Sequence, residues 1–249
     1  MLAAAAVAAG PSCSGAADPG PGDPTAGSIT VFAAASLTEA FTTIGADFEA
    51  ANPGTEVRFN FAASSALATQ LAQDAPADVF AAADTATMAR ARTAGVVTEP
   101  TEFARNSLAV IVAAGNPKAI GSVGDLARPD LTVVLAAPQV PLGAYTGELF
   151  AKAGLVVTPR SYEPDAKAVV AKVVAGEADA GVVYRTDVAA AGRRAAAVPV
   201  PDDLDVTATY PIAVTSAAPN PAVARRFVAH VTGAAGRAAL ERAGFTVAP

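Results

Sequence analysis

The residues able to do chemistry in this sequence are small polar ones placed at the ends of apolar runs. The run ITVFAAA is followed by Ser36 and then Leu-Thr-Glu39, and the run VRFNFAA by Ser64, Ser65 and the helical stretch ALATQLAQ. A third junction reads Tyr-Glu-Pro-Asp165-Ala-Lys-Ala. Where a strand hands over to a helix, the first turn carries backbone N–H groups with no partner inside the helix, at the positive end of the helix dipole. A ligand bound there would meet those amides and that end of the dipole, and hydroxyl side chains stand beside them. Each junction also has an ordinary reading, because Ser and Asp cap helices generally and Ser36-x-x-Glu39 has the spacing of a capping box.

Other chemistries lack their parts. With one His and one Cys in 249 residues, the chain cannot build a Cys/His zinc site, a four-cysteine cluster or an internal disulfide. A carboxylate-only site for a hard cation stays open. A hydrolase needs a nucleophile beside a base, yet His230 lies in the helical run RRFVAHVTG, where it reads as a surface or packing residue, and no G-x-S-x-G occurs. The first strand is followed by AAASLT rather than a glycine-rich dinucleotide turn. A net charge of −6, with 16% charged residues and no block of one sign, excludes a disordered tail and a nucleic-acid arm. Tyr145 and Tyr162 read as packing residues, Tyr184 as either packing or contact, and Arg193-Arg194 and Arg225-Arg226 as solvated faces.

The elements that must position the serines follow a simple alternation. Residues 1–27 form a leader and linker: MLAAAAVAAG is too short to span a bilayer, and Cys13 precedes a Pro/Gly/Asp tether. A Cys in that place resembles the lipidated Cys of bacterial lipoproteins, with an ordinary secretory signal as the alternative. From Ser28 onward, apolar strands are expected at 28–34, 56–62, 78–83, 107–114, 131–137, 181–185 and 211–216. Between them, Leu37, Phe41, Ile44 and Phe48 share one face of a helix over 37–52, and Val169, Val170, Val173 and Val174 share one that stops near Gly176. Strands apolar throughout and separated by helices predict parallel sheets covered on both sides, an α/β fold of the doubly wound kind.

The segments ITVFAAASLTEAF, FAASSALATQLAQDAPADVFAAAD, NSLAVIVAAGNP, VPLGAYTGEL, GEADAGVVY and AALERAGFTV occur in an order that resembles the periplasmic molybdate-binding proteins of ABC transporters, over essentially all of 28–249. The resemblance implies a fold of the periplasmic-binding-protein type II kind, with two doubly wound domains joined by two crossover strands. Domain 1 would comprise 28–107 plus 210–249, and domain 2 would be 108–209. It further implies that the oxyanion is held by the hydroxyls and amides of Ser36 and Ser64, the backbone amides of Leu142 and Ala166, and the phenol of Tyr184. Any metal would be held only through the oxyanion's oxygens, with no direct protein ligand. Leu142 stands where the family usually has Ala, and Ala166 where Val is common; since both act through N–H, the departures should be tolerated. Ser65 is a rival to Ser64, and Asp165 is expected to cap its own helix.

The function implied is an exported binding subunit, not an enzyme and without a cofactor, that captures molybdate, and tungstate as well, in an interdomain cleft. Its partners would be a permease and an ATPase, with the membrane met only through a lipid on Cys13; it would be a monomer and bind no nucleic acid. A receptor for sulfate or phosphate, or an oxyanion sensor, is the alternative.

Overall fold

The computed structural model describes residues 27–247. The leader, and Cys13 within it, lies outside the described residues. In chain order the strands are β1 (Gly27–Ala34), β2 (Thr55–Ala62), β3 (Val79–Ala81), β4 (Thr101–Asn106), β5 (Leu108–Ala113), β6 (Val133–Ala136), β7 (Ser161–Glu163), β8 (Ala180–Tyr184), β9 (Ala195–Pro199), β10 (Ala208–Val214) and β11 (Thr246–Val247). The α-helices are α1 (Thr38–Ala51), α2 (Ser64–Ala72), α3 (Thr85–Thr93), α4 (Pro141–Ala153), α5 (Ala166–Val174), α6 (Arg185–Ala191), α7 (Pro221–Thr232) and α8 (Ala234–Arg242).

The strands form two sheets. One has the order β11-β4-β10-β3-β1-β2 and the other β7-β6-β8-β5-β9. The chain passes between them twice, from β4 to β5 through Ser107 and from β9 back to β10. The expectation of wholly parallel sheets is corrected. β1 pairs in parallel with β2 and β3, and β6 with β7 and β8, but β10 runs antiparallel to β3 and β4, as does β5 to β8 and β9. A parallel neighbour needs a crossover connection on its own sheet. β5 and β10 each arrive from the other sheet and are free of that constraint. Both remain apolar and buried, which is why their sequences looked like parallel strands.

Helix α1 shows how the apolar spacing is used. Leu37, Phe41, Ile44 and Phe48 are buried against the first sheet and α7. The ring of Phe227 meets Phe48 at 5.4 Å and Phe41 at 6.2 Å, both edge to face, a geometry that aromatic pairs favour. His230 packs against Phe48, as its packing reading expected. One packing reading and one surface reading change. Tyr162 is 57% exposed rather than packed, since it lies on the edge strand β7. Arg226 is only partly exposed, its guanidinium lying 6.0 Å from the ring centre of Phe48.

Candidate functional site

Four helical starts and one strand end meet at a single small cavity. Its lining includes Ser36, Ser64, Leu142, Ala166 and Tyr184, together with Ala83, Val140, Pro141 and Asp165. The structure thus brings together all five residues singled out in the sequence. Ser36 and Ser64 follow β1 and β2 of the six-stranded sheet, while Leu142, Ala166 and Tyr184 belong to the five-stranded one. The cavity has a volume of ≈ 20 Å³. That is more than a lone water needs.

Each serine does something other than cap a helix. Ser36 lies in a buried 3-10 turn, Ala35–Leu37, that leads into α1, and its Oγ is 2.9 Å from the hydroxyl of Tyr210. The capping box expected with Glu39 is absent: α1 is capped at Leu37 without a side-chain bond. A 3-10 turn places the N-cap at Leu37, one residue past Ser36, and Glu39 pairs with Lys167 on α5. Ser64 is the first residue of α2, and its Oγ accepts a hydrogen bond from the Ala83 N–H at 2.9 Å. With its lone pair so engaged, the Ser64 hydroxyl hydrogen is left to donate elsewhere. Ser65 does not line the cavity; its carbonyl accepts from Thr69. Geometry therefore separates the two serines that the sequence left as rivals.

On the opposite wall the donors are backbone amides. In α4, Pro141 has no N–H and the first closing bond runs from Ala144 N–H to Val140, which leaves the Leu142 and Gly143 amides outside the helical ladder. Gly143 permits the close approach: a Cβ there would collide with the Ala137 carbonyl. In α5, Asp165 caps as expected, its carboxylate accepting from Ala168 N–H at 2.9 Å, and the Ala166 amide is free of the ladder.

Tyr184 is 2% exposed, and its hydroxyl has no hydrogen-bond partner among the described residues. Burial holds this phenol protonated, well above the ordinary tyrosine range. A buried unpaired O–H is costly to leave unmade, so its presence on the cavity wall calls for an acceptor. Tyr210 and Tyr145 are likewise raised by burial, Tyr145 to about 12. The wall therefore offers hydroxyls and amides that donate at any neutral pH.

Sequence reasoning missed two groups next to this wall. Tyr210, which meets Ser36, lies 174 positions away in sequence, and no local pattern marks such a contact. Asp187 stands three residues after Tyr184 at the start of α6, and its carboxylate accepts the Tyr184 N–H at 3.2 Å. An acid three residues into a helix is a readable signal that was passed over. Asp187 is 1% exposed with Lys167 at 3.3 Å. Burial pushes its carboxyl up to about 6, against the pull of the Lys167 ammonium. Because the folded value is raised, the unfolded chain gives up this proton first, and folding stability falls as pH climbs from about 4 to 6. Relative to Asp187→Asn, the wild type should lose about 2–3 kcal/mol between pH 4 and 7, read by urea unfolding at each pH. A gap that stays constant would mean that Asp187 does not titrate there.

The bacterial extracellular solute-binding family matches residues 29–246. The Molybdate-binding protein ModA of Mycobacterium tuberculosis is 48% identical over 248 residues, covering 98% of this chain and 94% of that relative. The Escherichia coli protein of the same name is 31% identical over 232 residues, covering 89% and 90%. Among solved structures, the periplasmic molybdate-binding protein of Azotobacter vinelandii superposes with a TM-score of 0.79 at 18% identity, covering 89% of this chain and all of that one. The sulfate-binding protein SubI of Mycobacterium tuberculosis gives 0.78 at 21% identity, covering 88% and 86%. These two likenesses concern the fold alone.

Proposed function

This chain belongs to the bacterial extracellular solute-binding proteins, and from that premise we propose that it is the molybdate-capturing subunit of an ABC importer. It works outside the cytoplasmic membrane and hands its ligand to a permease driven by an ATPase. The reading includes tungstate as a second ligand, a lipid anchor on Cys13, a monomeric state and no catalytic step. The ligands are Ser36, Ser64, the amides of Leu142 and Ala166, and Tyr184. The two domains are 28–107 plus 210–249, and 108–209.

The observation that carries this reading is the unpaired, buried Tyr184 hydroxyl on a wall of neutral donors. A dianion that carries no proton needs donors only, and dipoles held in place can enclose it without a contacting cation. The nearby ammonium of Lys167 is already shared between Glu39 and Asp187. Phosphate retains a proton near neutrality and calls for an acceptor. Asp165 lines the cavity, but its carboxylate is turned to its own helix. Since one set of donors belongs to each sheet, the bound anion bridges them and favours the closed arrangement through contacts the open one lacks.

Calorimetric titration with molybdate, tungstate, sulfate and phosphate at fixed ionic strength tests the assignment. Heat and saturation with sulfate or phosphate but none with molybdate would reassign the ligand. The same titrations across pH and salt test the mechanism. From about pH 7 to 9 the dissociation constant should stay within about twofold, because the tyrosines remain protonated and Asp187 remains ionised. Sodium chloride should weaken binding by no more than about fivefold, since short-range dipoles are poorly screened. A tenfold change over either series would place an ionising or freely paired charge against the anion.

A further inference from the structure

We propose that Glu39 and Lys167 form a latch across the cleft that sets how long the anion stays bound. This rests on the function proposed above. Glu39 lies in the first turn of α1, which follows β1 of the six-stranded sheet, and Lys167 in the first turn of α5, which follows β7 of the five-stranded sheet. The Lys167 Nζ donates to both carboxylate oxygens of Glu39, at 2.8 and 2.7 Å. These two helices also carry cavity-lining residues at their starts, Ser36 just before α1 and Ala166 at the first position of α5. The pair therefore spans the two walls within one helical turn of the anion's own donors.

Behind Lys167, on its own side of the cleft, stands the buried carboxylate of Asp187 at 3.3 Å. It holds the ammonium at the boundary and leaves its reach directed across to Glu39. The two ends of the latch differ in exposure, with side chains 52% exposed for Glu39 and 29% for Lys167. A half-solvated pair of this kind forms only when the walls meet and contributes modestly when it does. Association, which takes place with the walls apart, does not involve it. Release requires the walls to separate and so must break it. Affinity differences between related complexes usually reside in the dissociation rate, which is where this contact acts.

The test uses the full chain and radiolabelled molybdate chased with unlabelled molybdate. Glu39→Gln and Lys167→Met should each release the ion about two- to fivefold faster, with association unchanged within about twofold. The double variant should release no faster than Lys167→Met alone, because Glu39 then has no partner left to lose; Lys167→Met also strips the buried Asp187 of its ammonium and should lower ligand-free stability by itself. Lys167→Arg, which keeps the charge and the donors, should restore slow release, and high salt should erase the difference between wild type and Glu39→Gln. Variants that release at the wild-type rate would overturn the latch. So would a Glu39→Gln variant whose ligand-free melting temperature falls while association and release change together, since that marks a purely structural pair. If the wild type itself binds no molybdate, the function proposed above fails, and the latch with it; a wild type that binds while the variants behave normally removes the latch alone.

Discussion

Tyr184→Phe should weaken molybdate binding about 10- to 100-fold and leave the ligand-free protein as stable as before, or more so. A hydrogen bond to a charged partner contributes roughly 1.5–3 kcal/mol, which sets the size of the loss. The stability half of the expectation comes from the structure: the Tyr184 hydroxyl is buried without a partner, so its removal leaves nothing orphaned. Ser64→Ala is the contrasting change. It should weaken binding to a similar degree but also destabilise the ligand-free protein by about 1–3 kcal/mol, because the Ala83 N–H loses its acceptor. Ser65→Ala, whose side chain is away from the cavity, should do neither. Titration calorimetry and urea unfolding on the three variants separate these outcomes. If Tyr184→Phe binds as tightly as wild type, the phenol is not a ligand and the donor set must be drawn again.

Molybdate at about 100 times its dissociation constant should add roughly 2.7 kcal/mol to stability, because it binds the folded chain and not the unfolded one. For a chain of this size that corresponds to a rise in melting temperature of about 5–10 °C. Sulfate at the same concentration should raise it much less. Its bonds are shorter, and a cavity walled by fixed amides and a 3-10 turn cannot follow a smaller ion without parting donors from oxygens. The donors that would have to move belong to two different sheets, so contraction means displacing one sheet against the other. A differential scanning measurement with each anion decides the matter. Equal shifts for molybdate and sulfate would show a cavity that adapts and would remove size as the basis of selection.

The strand-to-helix junctions were legible in the sequence because they depend on neighbours only. Apolar runs such as ITVFAAA and VRFNFAA end in small polar residues, and the spacing of Leu37, Phe41, Ile44 and Phe48 fixes which side of α1 is buried. Asp165 could be read as a cap for the same reason, since its partner amide is three residues away. The resemblance to a known family added the amides of Leu142 and Ala166, which no side-chain pattern could mark, because every residue but proline carries an N–H.

What sequence alone determined is thus the supply of donors: short polar side chains and free first-turn amides, in a chain with neither the cysteines and histidines for a metal site nor a base beside a nucleophile. Tertiary structure decided what each donor does. Ser36 and Glu39 have the spacing of a capping box, the ordinary reading of that junction, but the Ser36 hydroxyl meets Tyr210, 174 residues on, while Glu39 pairs with Lys167 on α5. Two serines adjacent in sequence were separated by the position of Ala83, 19 residues beyond Ser64. Parallel and antiparallel strands could not be told apart, because a strand buried on both faces has the same apolar composition in either direction. In each case a local pattern lists the partners a residue could take within a turn or two. A contact between distant segments, such as Ser36 with Tyr210 or Ser64 with Ala83, wins when it buries the polar group and satisfies it together, and such contacts exist only once the strands of a sheet have been brought side by side.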